Sequence, residues 1–277
     1  KFGSVFKISR KTFNYICSLV KEDMKSNYTY TNGKILSSND QIAVALRRLS
    51  SGESLSIIGE SFGMNQSTVS HVTWRFVEAM EERGLHHLQW PSTEAQMEEI
   101  KSKFERTRGL PNCCGAIDIT HIVMNLPTVD SSNGVWFDRE KQHSMILQAI
   151  VDPDMRFRDI IVGWPGSLSD AQVLQSSGFF KLSEEGKRLS EKKIKLSQGT
   201  EMREYIVGDT GLKEMWRILH GVMWMPDKNR LPRIVLVCCL LHNIIVDMED
   251  EVLDEMPLSR HHDPDYRQQF CDSVDET

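Results

Sequence analysis

At 277 residues, 40% of them hydrophobic and 26% charged, the chain is long enough for one large or two modest domains around a buried core. No run of about eighteen apolar residues occurs, which excludes a helical membrane span; no basic-then-apolar start with a small-residue cleavage site is visible, so a soluble intracellular protein is expected. The net charge of −6 is concentrated at one end: residues 247–277 hold eleven Asp/Glu against two Lys/Arg, a solvated tail of −9, and the body keeps +3, too mild for a strong nucleic-acid binder.

Four helices open the chain. Phe13, Ile16, Cys17 and Val20 share one helical face over Ser9–Lys21. Asp40–Leu49 repeats the pattern with Ile42, Ala45, Leu46 and Leu49, and Ser38 or Asn39 is its expected cap. Ser54 then caps a short helix carrying Leu55, Ile57, Ile58 and Phe62. Gly63-Met64-Asn65 makes a tight turn, and Gln66–Arg83 is a long helix with Val69, Val72, Phe76 and Met80 inward. This is helix-turn-helix grammar. In a DNA-reading module the start of the second helix faces the bases, and here that surface offers Gln66, Ser67, Thr68, His71 and Arg75, suited to base edges and phosphates. Residues 38–83, however, carry six acids against four arginines, and a net −2 gives little attraction to phosphate. That balance favours a helical bundle packed on the body, or a protein-docking surface, and leaves DNA a weak partner. Leu85–Arg108 reads as an amphipathic linker whose helix starts after Trp90-Pro91-Ser92-Thr93, anchored by Ile100 and Phe104. His86 and His87 read as linker histidines, with no Cys or third His nearby to complete a metal site.

The pattern then becomes sheet-like. The expected strands are Ala116–Met124, Met145–Val151 and Arg158–Val162, with Asp152-Pro153-Asp154-Met155 as the hairpin turn between the last two. The apolar run from Cys113 to Pro127 reads as a strand buried on both faces, with Asp118 in its middle. A helix near Ser169–Gln175 carries Asp170 as a structural cap at its positive end. Lys181–Ser197 is a basic, solvated loop. Glu204–Val207 returns beside the first strand and leads to Asp209. A buried-strand carboxylate is costly unless paired, protonated or bound to metal. Two of them converging, Asp118 and Asp209, would make a hard-cation site suited to Mg²⁺ or Mn²⁺; the other reading is a strand-end cap and a turn acid, and patterning does not decide between the two. Arg233–Met248 is a largely buried helix with Pro232 in its first turn, and His242 within it reads as a satisfied core histidine. The six cysteines, at 17, 113, 114, 238, 239 and 271, form no C-x-x-C pair and read as buried free thiols.

Together, Gly115-Ala116-Ile117-Asp118-Ile119-Thr120-His121-Ile122, Gly163-Trp164-Pro165-Gly166-Ser167 with Asp170, Gly208-Asp209-Thr210-Gly211 and Leu240-Leu241-His242-Asn243 resemble the ordered motifs of the PIF/Harbinger DDE transposases, from about Phe6 to Asp250. The resemblance implies an α/β fold: a ribonuclease-H-like mixed sheet flanked by helices, preceded by an N-terminal helix-turn-helix-like region. The divisions expected are 1–108 for the helical region and linker, 109–250 for the transposase-derived domain and 251–277 for the acidic tail. It also implies metal-assisted phosphodiester cleavage, two ions being held by two strand carboxylates and a third acid on a helix. Asp118 and Asp209 match the first two acids. Ile119 stands where the family has a small glycine, bringing bulk beside the metal position. The third acid is not found: in relatives some tens of residues separate the Gly-Asp-x-Gly motif from the equivalent of Leu212-Lys213-Glu214-Met215-Trp216, whereas here Leu212 follows Gly211 directly. Either the segment is deleted or the numbering closes over it, and the intact flanks favour the latter.

The wording of Cys113–Pro127, Gly221–Asp227 and Arg233–Glu249 is nearest to a domesticated plant branch of the family. That resemblance implies a nuclear protein without catalysis that acts in chromatin regulation, associates with Polycomb repressive complex 2, opposes its silencing, and has a trihelix/Myb-like protein partner. The alternative is an active Mg²⁺-dependent endonuclease or transposase cutting DNA.

Overall fold

The computed structural model describes residues 8–124, 134–196, 199–208 and 227–248. Local capping chemistry sets the helix starts. α1 (Arg10–Val20) begins after Ser9, whose hydroxyl accepts the Thr12 N–H at 3.1 Å. α2 (Ser38–Ser51) is capped by Ser37, not by Ser38 or Asn39. The Ser37 hydroxyl accepts from the Asp40 N–H while the Asp40 carboxylate accepts from the Ser37 N–H, and only the serine three places before that acid can close this box. Ser54 caps α3 (Leu55–Phe62) as expected, and Asn65 caps α4 (Gln66–Arg83). Gly63 ends α3 in the left-handed region at φ 66°, and a Cβ on Gly59 would meet the Met64 carbonyl oxygen at 2.6 Å, so the turn demands glycine at both places. Val69, Val72, Phe76 and Met80 on α4 are all fully buried.

α5 (Glu94–Arg108) follows its Thr93 cap and buries Ile100 and Phe104. It leads into β1 (Cys113–Val123), which pairs antiparallel with β2 (Ser144–Val151), itself antiparallel to β3 (Phe157–Pro165). At the hairpin between β2 and β3, the Asp152 carboxylate accepts the N–H groups of Asp154 and Arg156, and Met155 adopts φ 68°. After α6 (Asp170–Ser176) and α7 (Gly178–Glu184), a small hairpin of β4 (Lys193–Lys195) and β5 (Glu201–Arg203) occupies the stretch that reads as a basic loop. β6 (Tyr205–Gly208) then returns parallel to β1, giving a mixed sheet in the order β3-β2-β1-β6. α8 (Leu231–Asp247), with Pro232 in its first turn, is the last described helix.

Two expectations change. β1 is not buried along both faces. Cys113–Gly115 are buried, whereas Ala116–His121 are half-buried. Asp170 is not a cap; Ser169 and Gln172 close a reciprocal box around it, and Asp170 stands exposed at the first helical position.

Helices cover both faces of the sheet. On one face, Leu147, Ala149 and Val151 join a core shared with α1, α2, α4 and α8. On the other, Ile150 packs with Cys114, Trp90 and Phe179; α5 lies over Cys113, Ala116, Tyr205 and Val207, on the face that Ala116 shares with Val151. Asn243 pins this assembly. Its amide oxygen accepts the Phe157 N–H at 2.8 Å, and its nitrogen donates to the carbonyls of Phe157 (2.8 Å) and His87 (2.7 Å). One side chain on α8 thus holds the edge strand and the linker. Asn243→Ala leaves buried backbone groups without partners and is expected to lower unfolding stability in urea by about 3 kcal/mol; a loss below about 1 kcal/mol would show the clamp to be dispensable.

Candidate functional site

β1 sets Asp118 opposite Ala149. Side chains alternate along a strand, so Asp118 shares its face with Ala116, Thr120 and Ile122, on the side of the main core. One of its carboxylate oxygens accepts the Ile119 N–H at 2.8 Å. The same alternation corrects the expectation for Ile119: its side chain lies on the opposite face, beside Gln148, and does not crowd Asp118. Gln148 is fully buried, and neither amide atom has a hydrogen-bond partner.

β6 approaches the same place. Among the described residues its last pair with β1 joins Ile117 to Gly208, one residue short of Asp118. Asp209 is the next residue in the chain and lies outside the described residues. Among the described residues Asp118 is therefore the one strand carboxylate at this point, and no group of three His, Cys, Asp or Glu side chains suited to a metal occurs. A Mg²⁺ or Mn²⁺ site needs several oxygen ligands, so the donor set among the described residues does not fit an ion by itself.

The helix-turn-helix candidates are dispersed in their roles. Gln66 and Ser67 are exposed, and they donate to the side chains of Ser56 and Asn65. His71 is exposed with its ring 6.1 Å from that of Tyr28. Thr68 is buried at the cap. Arg75 donates to the carbonyls of Asp23 (2.6 Å) and Lys25 (2.9 Å), which commits its guanidinium to holding the chain after α1. The histidines serve structure. His242 Nε2 meets the Met155 carbonyl at 2.9 Å, and burial lowers its pKa. His87 contacts the Tyr15 hydroxyl at 2.9 Å and Asp247 at 3.2 Å; burial lowers its pKa against the pull of Asp247.

Sequence reasoning missed one ion pair that shapes this region. Lys101 on α5 donates to Glu204, immediately before β6, at 2.9 Å, and both side chains are almost wholly buried. Glu204 also accepts the Ser190 N–H at 2.6 Å. The pair lies by a 200 Å³ cleft lined by Trp90, Met97, Arg188 and Lys192. A single lysine on an amphipathic helix reads as solvated, and only the return of β6 shows its partner.

With this geometry in place, comparison with known proteins is informative. Residues 117–213 match the family described as DDE superfamily endonuclease. The Arabidopsis thaliana protein named ALP1-like is 60% identical over 318 aligned positions, covering 99% of this chain and 78% of that protein. The chain belongs to the transposase-derived branch of the DDE endonuclease superfamily. A second Arabidopsis thaliana relative, named antagonist of like heterochromatin protein 1, is 46% identical over 314 positions, covering 98% of this chain and 79% of that protein. HARBI1 of Homo sapiens, named as a candidate nuclease, is 22% identical over 274 positions, covering 88% of this chain and 77% of that protein. No solved structure matches.

The two plant alignments are longer than the chain. With 318 and 314 positions against 277 residues, these relatives carry at least 41 and 37 positions that have no residue here. The family match runs across the junction of Gly211 with Leu212 and ends at residue 213. Those two residues are consecutive in the sequence, which holds no counterpart of that segment between them.

The Lys101–Glu204 pair also predicts a pH dependence. Burial alone would raise the Glu204 pKa, but hydrogen bonds from Lys101 and Ser190 outweigh it and hold the carboxyl below its usual value. A depressed carboxyl contributes stability above its unfolded value, near 4.3, and loses it as pH falls through the lower folded value. Glu204→Gln is therefore expected to lower stability at pH 7 and to flatten the decline below about pH 4.3, as read from urea midpoints across that range. Parallel pH profiles for the two proteins would contradict this.

Proposed function

We propose that this chain is a domesticated transposase-derived protein that has lost DNA cleavage and acts through protein contacts in the nucleus. One observation carries the reading. The family mechanism draws a third acid from the segment after the second strand acid, and in this sequence Leu212 follows Gly211 directly where the resemblance expects that segment. Two carboxylates without the third leave the two-ion arrangement incomplete. The sheet order β3-β2-β1-β6, three antiparallel strands and a parallel return, supports a ribonuclease-H-like ancestry. The pair α3–α4 about Gly63 supports a helix-turn-helix origin for the N-terminal region, and the commitment of Arg75 and the net acidity of residues 38–83 favour docking over base reading. A plant relative is named for antagonism of a heterochromatin protein. On this reading the partners are Polycomb repressive complex 2 components and a trihelix/Myb-like protein, and the outcome is opposition to silencing.

A second reading, a Mg²⁺- or Mn²⁺-dependent DNA endonuclease, is favoured by the family description and by the approach of β6 to Asp118. Plasmid incubated with the full chain and Mg²⁺ or Mn²⁺ decides between them. The expected result is intact DNA and a melting temperature that either ion moves equally in the native protein and in Asp118→Ala. Cleavage that Asp118→Ala abolishes would establish the enzyme. Recovery of Polycomb repressive complex 2 components with the tagged chain from plant nuclei tests the partner.

A further inference from the structure

We propose that Ser190 is a phosphorylation site for a serine/threonine kinase that selects basic substrates, and that its modification loosens the tie between α5 and β6. The proposal goes beyond the function above and holds whether or not the chain cuts DNA. Two stretches of the sequence share one pattern: Arg47-Arg48-Leu49-Ser50 and Lys187-Arg188-Leu189-Ser190. In each, two cations stand three and two places before a serine, with a leucine between. A kinase whose substrate cleft is lined by acids selects such a serine by charge. The structure separates the two stretches. Ser50 lies in the last turn of α2, where its hydroxyl donates to the Arg47 carbonyl at 3.3 Å. Arg47 is paired with Glu53, and Arg48 is only 2% exposed. Helical geometry turns successive side chains away from one another, so this serine and its cations cannot enter one cleft together. Ser190 stands instead in the irregular stretch between α7 and β4, half-exposed on the wall of the 200 Å³ cleft. Lys187 is exposed. Arg188 lies 5.5 Å from the Trp90 ring and 3.7 Å from the Asp159 carboxylate, contacts weak enough for a kinase to displace.

The neighbours of Ser190 give the modification its consequence. The Ser190 N–H donates to Glu204 at 2.6 Å, and the Ser190 hydroxyl accepts the Lys192 N–H at 3.3 Å. Glu204 is almost wholly buried, and Lys101 meets it at 2.9 Å while also pairing with Glu98. Lys192 is already paired with Glu94. Transfer of the γ-phosphoryl group of ATP to Ser190 Oγ forms one P–O bond, breaks the β–γ anhydride, and releases ADP and the hydroxyl proton. It places a charge of about −1.5 to −2 beside a buried carboxylate. Two anions then compete for Lys101, and a buried carboxylate that loses its cation is strongly unfavourable. The stretch carrying Ser190 therefore withdraws from Glu204, and β6, which begins at the next residue, loses part of its hold on α5.

The test incubates the full chain with ATP and the purified catalytic subunit of a kinase selective for basic-basic-apolar-serine substrates, and maps phosphate by mass spectrometry. Phosphate is expected on Ser190 of the folded chain and not on Ser50, while short peptides spanning either stretch are both modified. Ser190→Ala should take up none. The modified chain is expected to unfold at a urea midpoint lower by roughly 0.3 M or more at pH 7. Glu204→Gln should remove most of that difference, because the opposing charge is gone. Refusal of Ser190, in the folded chain or in its peptide, would overturn the site, as would equal modification of Ser50 in the folded chain. An unchanged midpoint, or an equal fall in Glu204→Gln, would overturn the proposed consequence.

Discussion

The pairing of β1 on both sides is the constraint on which the candidate site depends. Eight register pairs with β2 determine which β1 side chains face the main core. A slip of one residue would exchange Asp118 for Ile119 and turn the whole strand over. Packing on each face prevents that slip. Ile117 and Ile150 meet Trp90 and Phe179 on one side, and Ala116, Leu147 and Ala149 belong to the main core on the other. Gly115 adds a steric lock: a Cβ there would stand 2.8 Å from Ile150 Cγ2, so β1 and β2 approach at a distance that only glycine permits. The position of Asp118 is therefore a consequence of apolar packing.

α8 converts that sheet and the N-terminal helices into a single packed body. Its apolar residues enter the same cluster as α1, α2 and α4. Its polar residues make the specific connections: Asn243 binds Phe157 and the linker carbonyl of His87, and Asp247 meets both His87 and Arg156. At the other end, Arg233 pairs with Glu81 on α4, while Arg230 lies 4.8 Å above the ring of Trp74. Buried polar side chains are stable only when satisfied, so these bonds fix one arrangement of helices against sheet where apolar contact alone would permit several.

The elements with strong periodicity were legible in the sequence. α4 occupies the range its apolar spacing predicts, Ser54 caps α3, and β2 falls on the expected strand Met145–Val151. Asp118 and the strand returning beside it follow from acids set in apolar segments. The rest depended on contacts between distant residues, which a linear sequence does not display. Ser37 rather than Ser38 caps α2 because Asp40 completes the box. The β4–β5 hairpin is three residues a side and charged on one face, so its alternation is short enough to pass for a solvated loop. The Lys101–Glu204 pair spans 103 residues, and Asn243 reaches back 86 to Phe157. Asp209 falls outside the described residues, and its part in the site stays a reading of the sequence.

On the proposed reading, the loss of a segment after β6 has unequal consequences for stability and for chemistry. Stability here comes from area removed from water, and the large buried side chains, among them Phe76, Phe157, Leu147 and Ile146, lie on elements that the loss leaves in place. Metal-assisted cleavage depends on the number and placement of a few acids, and one missing carboxylate disables it while removing almost no apolar area. A fold of this kind can therefore discard catalysis and retain its core.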